Sequence, residues 1–190
     1  MVSKDASHAP HAVRGTSMIE VLVTMVIIAF GLLGMAGLQM RMQTSELESY
    51  QRSQALLLLN DMANRIAVNR NNAAAYLVAP ASALGAGMAC PTTTGTTAQR
   101  DLNEWCNAIQ GAAETSGSAK VGAMIGGRGC VEQDPGGDFM VTVAWQGLTP
   151  ISAPPSSVGC GANSYNAASG SCINDLCRRA VTTIVRMATL

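Results

Sequence analysis

The most marked hydrophobic pattern runs from Val21 to Leu38, 18 residues without a charge in which Thr24 is the one hydroxyl break. That length is at the lower edge of a membrane span. No proline occurs between Pro10 and Pro80, so one helix is predicted from about Ser17 into the low seventies, roughly 80 Å long. Its second half changes character. Ala55, Leu58, Leu59, Met62 and Ile66 recur along one helical stripe, with Arg52, Asn60, Asp61, Asn64 and Arg65 largely off it. The first half reads as lipid-facing or helix-packed, the second as amphipathic with one face under a globular domain. Asn69, Asn71 and Asn72 read as its fraying end.

Beyond the helix the pattern shortens. Residues 81–100 are rich in Ala, Gly and Thr and read as loop, and 101–110 as a short helix starting at Asp101. Phe139, Val141, Val143 and Trp145 alternate on one face of a strand. The β-branched run from Arg179 to Met187 reads as a second strand. A third covers about Arg128 to Glu132 and turns through Asp134-Pro135-Gly136-Gly137. Residues 147–176, rich in Pro, Gly, Ser and Asn, read as one long loop. No internal repeat is visible.

Composition adds constraints. Aromatic residues make up 4% of the chain, so the globular part has a thin core of the kind that needs staples. Six cysteines can supply them: Cys90, Cys106, Cys130, Cys160, Cys172 and Cys177, all beyond the apolar run. Their even number and placement predict disulfides in an oxidising compartment. The pairing expected is Cys90 with Cys106, Cys160 with Cys172, and Cys130 with Cys177, although spacing does not select it. There is no Cys-x-x-Cys pair and no histidine near a cysteine, which disfavours zinc without excluding an all-cysteine site.

The formal net charge is zero, with 12 basic and 12 acidic residues, so no electrostatic footprint for nucleic acid is present. Lys4 and Arg14 before the apolar run favour a cytoplasmic N-terminus. Both histidines, His8 and His11, also precede it. Without those first residues the chain has no histidine, which disfavours Ser-His-Asp and Cys-His chemistry and most metal-dependent hydrolysis. No cofactor is expected. Glu132, Asp134 and Asp138 cluster at a turn and keep carboxylate chemistry open, against the simpler reading of a solvated hairpin tip. Gly126-Gly127-Arg128-Gly129 lacks the lysine and helix of a phosphate loop. Arg178-Arg179 reads either as a contact for an anionic partner or as a strand-end charge pair.

Gly31, Gly34 and Gly37 repeat every third residue inside the apolar run. They are open to two readings: close packing against like helices, or the general frequency of glycine in membrane helices. Glu20, at the edge of the run, is likewise either an interfacial acid or a functional one.

The order of these features carries a resemblance. A short polar leader with basic residues ends in Arg14-Gly15, Glu20 is the fifth residue after Gly15, and Val21-Leu22-Val23-Thr24-Met25-Val26-Ile27-Ile28-Ala29 follows directly. This resembles the class III signal of type IV prepilins and of the pseudopilins of type II secretion. The stretch from Gly31 to Gln39, the long helix and the Cys177-Arg178-Arg179 strand start resemble the PilV-type minor pilins more narrowly. The resemblance implies an α+β fold, a long N-terminal helix packed on a small antiparallel sheet with disulfide-tied loops. It implies a leader over 1–15, a helix over 16–75 with about 18–40 spanning the membrane, and an outer globular domain over 76–190.

The implied function is assembly without catalysis: a minor pilin in type IV pilus assembly or modification, supporting twitching motility and adhesion. A prepilin peptidase would cut between Gly15 and Thr16 and methylate Thr16, and Glu20 would meet the new amine of a neighbouring subunit. Implied partners are major and minor pilins, the peptidase and inner-membrane assembly proteins, with residence in the inner membrane and then the pilus. A Thr16-Ser17-Met18 start in place of phenylalanine, and a helix free of proline, depart from many major pilins and favour a minor one. Removal of 1–15 would leave a net charge of −1. The alternatives are a minor pseudopilin of type II secretion, a membrane-anchored envelope enzyme using carboxylates, and a surface adhesin binding through the 147–176 loop.

Overall fold

The computed structural model describes residues 17–112, 115–117, 119–120 and 124–187. The segment expected to be a leader, with His8 and His11, and the expected Gly15–Thr16 junction lie outside the described residues. By contacts the chain divides into two units, residues 1–43 and 44–190.

Helix α1 runs from Met18 to Val68. In the first unit it is exposed along its length from Met18, apart from half-buried Gly37. By length and composition it is a helix able to cross a membrane. In the second unit Gln51, Ala55, Leu59, Met62 and Ile66 are buried, the stripe predicted from spacing with Gln51 extending it by one turn. The three asparagines do not fray: after α1 a 3-10 segment, Arg70–Tyr76, continues the chain, and the Asn69 amide donates to the Tyr76 hydroxyl at 3.0 Å.

The sheet has four strands in the order β1-β4-β5-β6: β1 (Leu84–Gly85), β4 (Arg128–Gln133), β5 (Phe139–Gln146) and β6 (Arg178–Val185), all antiparallel. A separate pair, β2 (Thr115–Ser116) with β3 (Ala119–Lys120), lies between α2 and β4 in sequence. Helix α2 covers Thr97–Ile109, four residues longer at its start than expected. The reason is local: Thr96 and Gln99 form a reciprocal capping box, Gln99 N donating to Thr96 Oγ1 at 3.2 Å and Thr96 N to Gln99 Oε1 at 3.1 Å.

Alternation along β5 is only half the account. Phe139, Val141, Val143 and Trp145 join one core with α1 and α2. Yet Thr142 and Ala144, on the other face, are equally buried. There Cys130, Ala144, Cys160 and Tyr165 form a second small core, because the loop after β5 lies over that face. Within the second unit the layers are therefore helices, sheet and loop.

The disulfides are Cys90–Cys106, Cys130–Cys160 and Cys172–Cys177. The first agrees with expectation; the other two correct it. Cys130 faces the loop-covered side of β4, where Cys160 arrives with the loop, and their Cα atoms lie 5.8 Å apart. Cys172 and Cys177 close a short turn in which Asn174 and Asp175 adopt left-handed φ of 53° and 60°, folding the chain back on itself.

Candidate functional site

Within the first unit the candidate surface is the start of α1. The Ser17 carbonyl accepts from Glu20 N at 2.9 Å and from Val21 N at 3.3 Å, closing the first turn. Glu20 sits in that turn, exposed, as the acidic residue of the helix N-terminus. Phe30 is 71% exposed and Leu33 68%, so the apolar side chains beyond Glu20 face outward. Cβ atoms placed on Gly31, Gly34 and Gly37 would meet nothing within 4 Å. Among the described residues, packing therefore does not require glycine at these three positions.

In the second unit charged residues tie α1 to the rest. Arg65 bonds Asp61 at 2.9 Å on its own helix, and Asp101 at 2.8 Å and Glu104 at 2.7 Å on α2. Burial alone would lower the Arg65 pKa; the three carboxylates outweigh it and raise it. The Tyr76 hydroxyl donates to the second Asp101 oxygen, and burial together with that bond raises its pKa. Seven positions before Arg65 on α1, the Leu58 carbonyl accepts from the Trp105 indole at 2.9 Å. Gln51 Oε1 accepts from Ile125 N at 3.1 Å. Glu48 accepts from Arg179 at 3.2 Å and from Leu148 N at 3.1 Å. Sequence reasoning missed these roles, although the capping box at Thr96 and the alignment of Asp101 with Glu104 on one helix face were readable.

Arg178 and Arg179 do not form a repelling pair. Arg178 is buried, faces Asp175 at 3.1 Å, and donates to the carbonyls of Val158 at 2.6 Å and Cys160 at 3.1 Å. It fixes the loop whose buried Cys160 is bonded to Cys130. Arg179 donates to Thr149 O at 2.6 Å as well as to Glu48.

The carboxylates of the turn are occupied in shaping it. Asp134 Oδ1 accepts from Asp138 N at 3.0 Å, and Asp138 Oδ1 from Met187 N at 3.0 Å. Burial raises the Glu132 pKa, and its Oε2 atom is enclosed without a hydrogen-bond partner. Gly126 to Gly129 serves packing: Gly126 has φ of +62° under the Tyr165 ring, and Gly129 leaves room for Trp105 and Ile109. The Tyr165 hydroxyl donates to Gly126 O at 2.9 Å, and burial raises its pKa. Among the described residues no three His, Cys, Asp or Glu side chains gather in a group able to hold a metal ion.

Comparison with known proteins adds one finding. Residues 37–113 match the Tt1218-like family, described as type IV pilin Tt1218. This segment, which runs from within α1 past the end of α2, is similar to the corresponding part of that pilin, and the architecture around it is a type IV pilin-like fold. Neither curated proteins nor solved structures yield a match.

Proposed function

We propose, starting from a chain with a type IV pilin-like fold and a type IV pilin match over residues 37–113, that this protein is a minor pilin of the PilV type. It acts by taking its place in an assembling fibre and not by catalysis. The observation that carries this reading is the division of labour along one helix. From Val21 to Leu38 the residues of α1 are uncharged and, apart from half-buried Gly37, exposed, whereas Gln51 is buried and Ala55, Leu59, Met62 and Ile66 are buried in the core with the sheet. A soluble domain has no use for such an uncovered apolar run, while a membrane anchor that later packs among other helices does.

On this reading a prepilin peptidase cuts between Gly15 and Thr16 and methylates Thr16. The protein waits in the inner membrane with its N-terminus cytoplasmic, then joins major and minor pilins with the help of inner-membrane assembly proteins. Glu20 pairs with the Thr16 amine of a neighbouring subunit. In apolar surroundings, breaking such a pair leaves one charge without compensation, a cost of about 3–5 kcal/mol that would set register. Gly31, Gly34 and Gly37 allow close approach of a neighbouring helix. Priming or incorporation at the fibre then supports twitching motility and adhesion.

Mass spectrometry of the mature N-terminus is the direct test. A chain beginning at Thr16 with one added methyl group is expected; an intact residue 1–15 segment in cells carrying the peptidase rules the reading out. Glu20→Ala should be inserted and cut but poorly incorporated into fibres. Incorporation equal to the unaltered protein would remove the role assigned to Glu20.

A further inference from the structure

The last strand, β6, lies at the edge of the four-stranded sheet. Natural proteins blunt such edges with proline, lysine, bulges or covering segments, since an open edge pairs with other chains. None of these devices occurs from Ala180 to Val185. The run Val181-Thr182-Thr183-Ile184-Val185 is entirely β-branched. Thr182 is exposed and Ile184 is 58% exposed. The β5–β6 ladder ends with Gly147 N on Cys177 O, and the segment after it bonds only ahead of the strand, Ile151 N to Leu176 O. Among the described residues no backbone group pairs with the outer side of Ala180–Val185.

A cleft of about 530 Å³ opens at the beginning of this edge, lined by Ala180 and Val181, by Arg52 and Ser49 of α1, and by Ile151 and Pro154. Exposed cations mark the two ends of the edge, Arg52 in the cleft and Arg186 just past the strand.

We infer that β6 is an acceptor for an extended segment of a different polypeptide, one that adds a fifth strand and carries carboxylates at both of its ends. The backbone groups of Ala180–Val185 provide the pairing, as in other strand additions, and Arg52 and Arg186 select the charge. A second copy of this chain is a poor occupant. Two-fold pairing centred on Thr182 and Thr183 would set Arg186 of one copy opposite Arg179 of the other, whose carboxylate partner Glu48 is already engaged, so Arg186 would meet no free carboxylate. The inference rests on the sheet and not on the pilin reading, and its test involves neither cleavage nor fibres.

The probe is a synthetic peptide of alternating Thr and Val flanked by glutamates, titrated into the full chain in detergent. Binding is followed by fluorescence anisotropy, and amide hydrogen exchange of β6 is measured alongside. Expected are protection of amides within Ala180–Val185, at least about tenfold weaker binding of the same peptide N-methylated at alternate positions, and weaker binding of a lysine-flanked version. Arg186→Glu, an exposed site, should reverse the preference between the two flanking charges. Equal binding of both peptides, insensitivity to N-methylation, unchanged exchange of β6, or self-association protecting the same amides would each overturn the assignment.

Discussion

Arg179, near the start of the last strand, donates from Nη2 to Oε1 of Glu48 on the first helix at 3.2 Å, across 131 positions of sequence. Glu48 also receives the Leu148 amide, so one carboxylate joins α1, the loop after β5, and β6. Replacing Glu48 by Ala removes these acceptors and leaves a largely buried guanidinium with fewer partners. A loss of about 1.5–2 kcal/mol in unfolding free energy is expected. Glu48→Gln, which keeps an acceptor, should lose about half as much. Denaturant unfolding of the full chain in detergent measures both.

The disulfides differ in worth. Cys130–Cys160 closes 30 residues and pins the loop on the sheet's second face, whereas Cys172–Cys177 closes only 5. The chain-entropy model gives about 3.5 kcal/mol for the longer loop and about 2 kcal/mol for the shorter. Removing both cysteines of the longer pair should also expose Ala144 and Tyr165, which is visible as faster hydrogen exchange along β4 and β5. The shorter pair should leave those strands unchanged.

Gly129 is required by close approach. A Cβ there would lie 2.6 Å from Ile109 Cδ1 and closer still to the Trp105 ring. Gly129→Ala therefore has to displace the Trp105 ring and the end of Ile109 and should cost about 1–3 kcal/mol, the range for an overpacked core. Gly137→Ala, whose Cβ would meet nothing, serves as a comparison. Its cost comes from the positive φ of 90° alone and should be nearer 1 kcal/mol.

Glu132 gives stability a pH dependence of unusual sign for a carboxylate. Burial raises its pKa above the ordinary 4.5, so the folded state holds the proton more tightly than the unfolded one. Its contribution is most favourable below that ordinary value and is lost as the pH climbs through the raised folded value. Glu132→Gln should stabilise the chain at neutral pH, by less than a fully buried carboxylate would because solvent screens this half-buried group, and the gain should vanish well below pH 4.5. Unfolding curves of both forms across that window measure the difference.

Most of the main elements could be read before any coordinates. The apolar run, the absence of proline from Pro10 to Pro80, and the stripe from Ala55 to Ile66 specify α1, because helical periodicity and helix breaking are properties of neighbouring residues. The alternation from Phe139 to Trp145 and the Asp134–Gly137 turn mark β5 and its hairpin with β4 for the same reason. Residues 147–176 read as loop, but nothing local says that this loop buries Thr142 and Ala144 and brings Cys160 to Cys130. The two-residue strand β1 is too short to show a period and exists through its pairing with Gly129 and Arg128. The bonds from Arg65 to Asp101 and Glu104, from Arg178 to the Val158 and Cys160 carbonyls, and from Arg179 to Glu48 were equally hidden, since contacts between distant segments depend on where the chain returns and not on spacing. Order along the chain set the helix, the hairpin and the position of Glu20. Packing of segments far apart in sequence set the disulfides, the second buried face of the sheet, and which of its edges remains open.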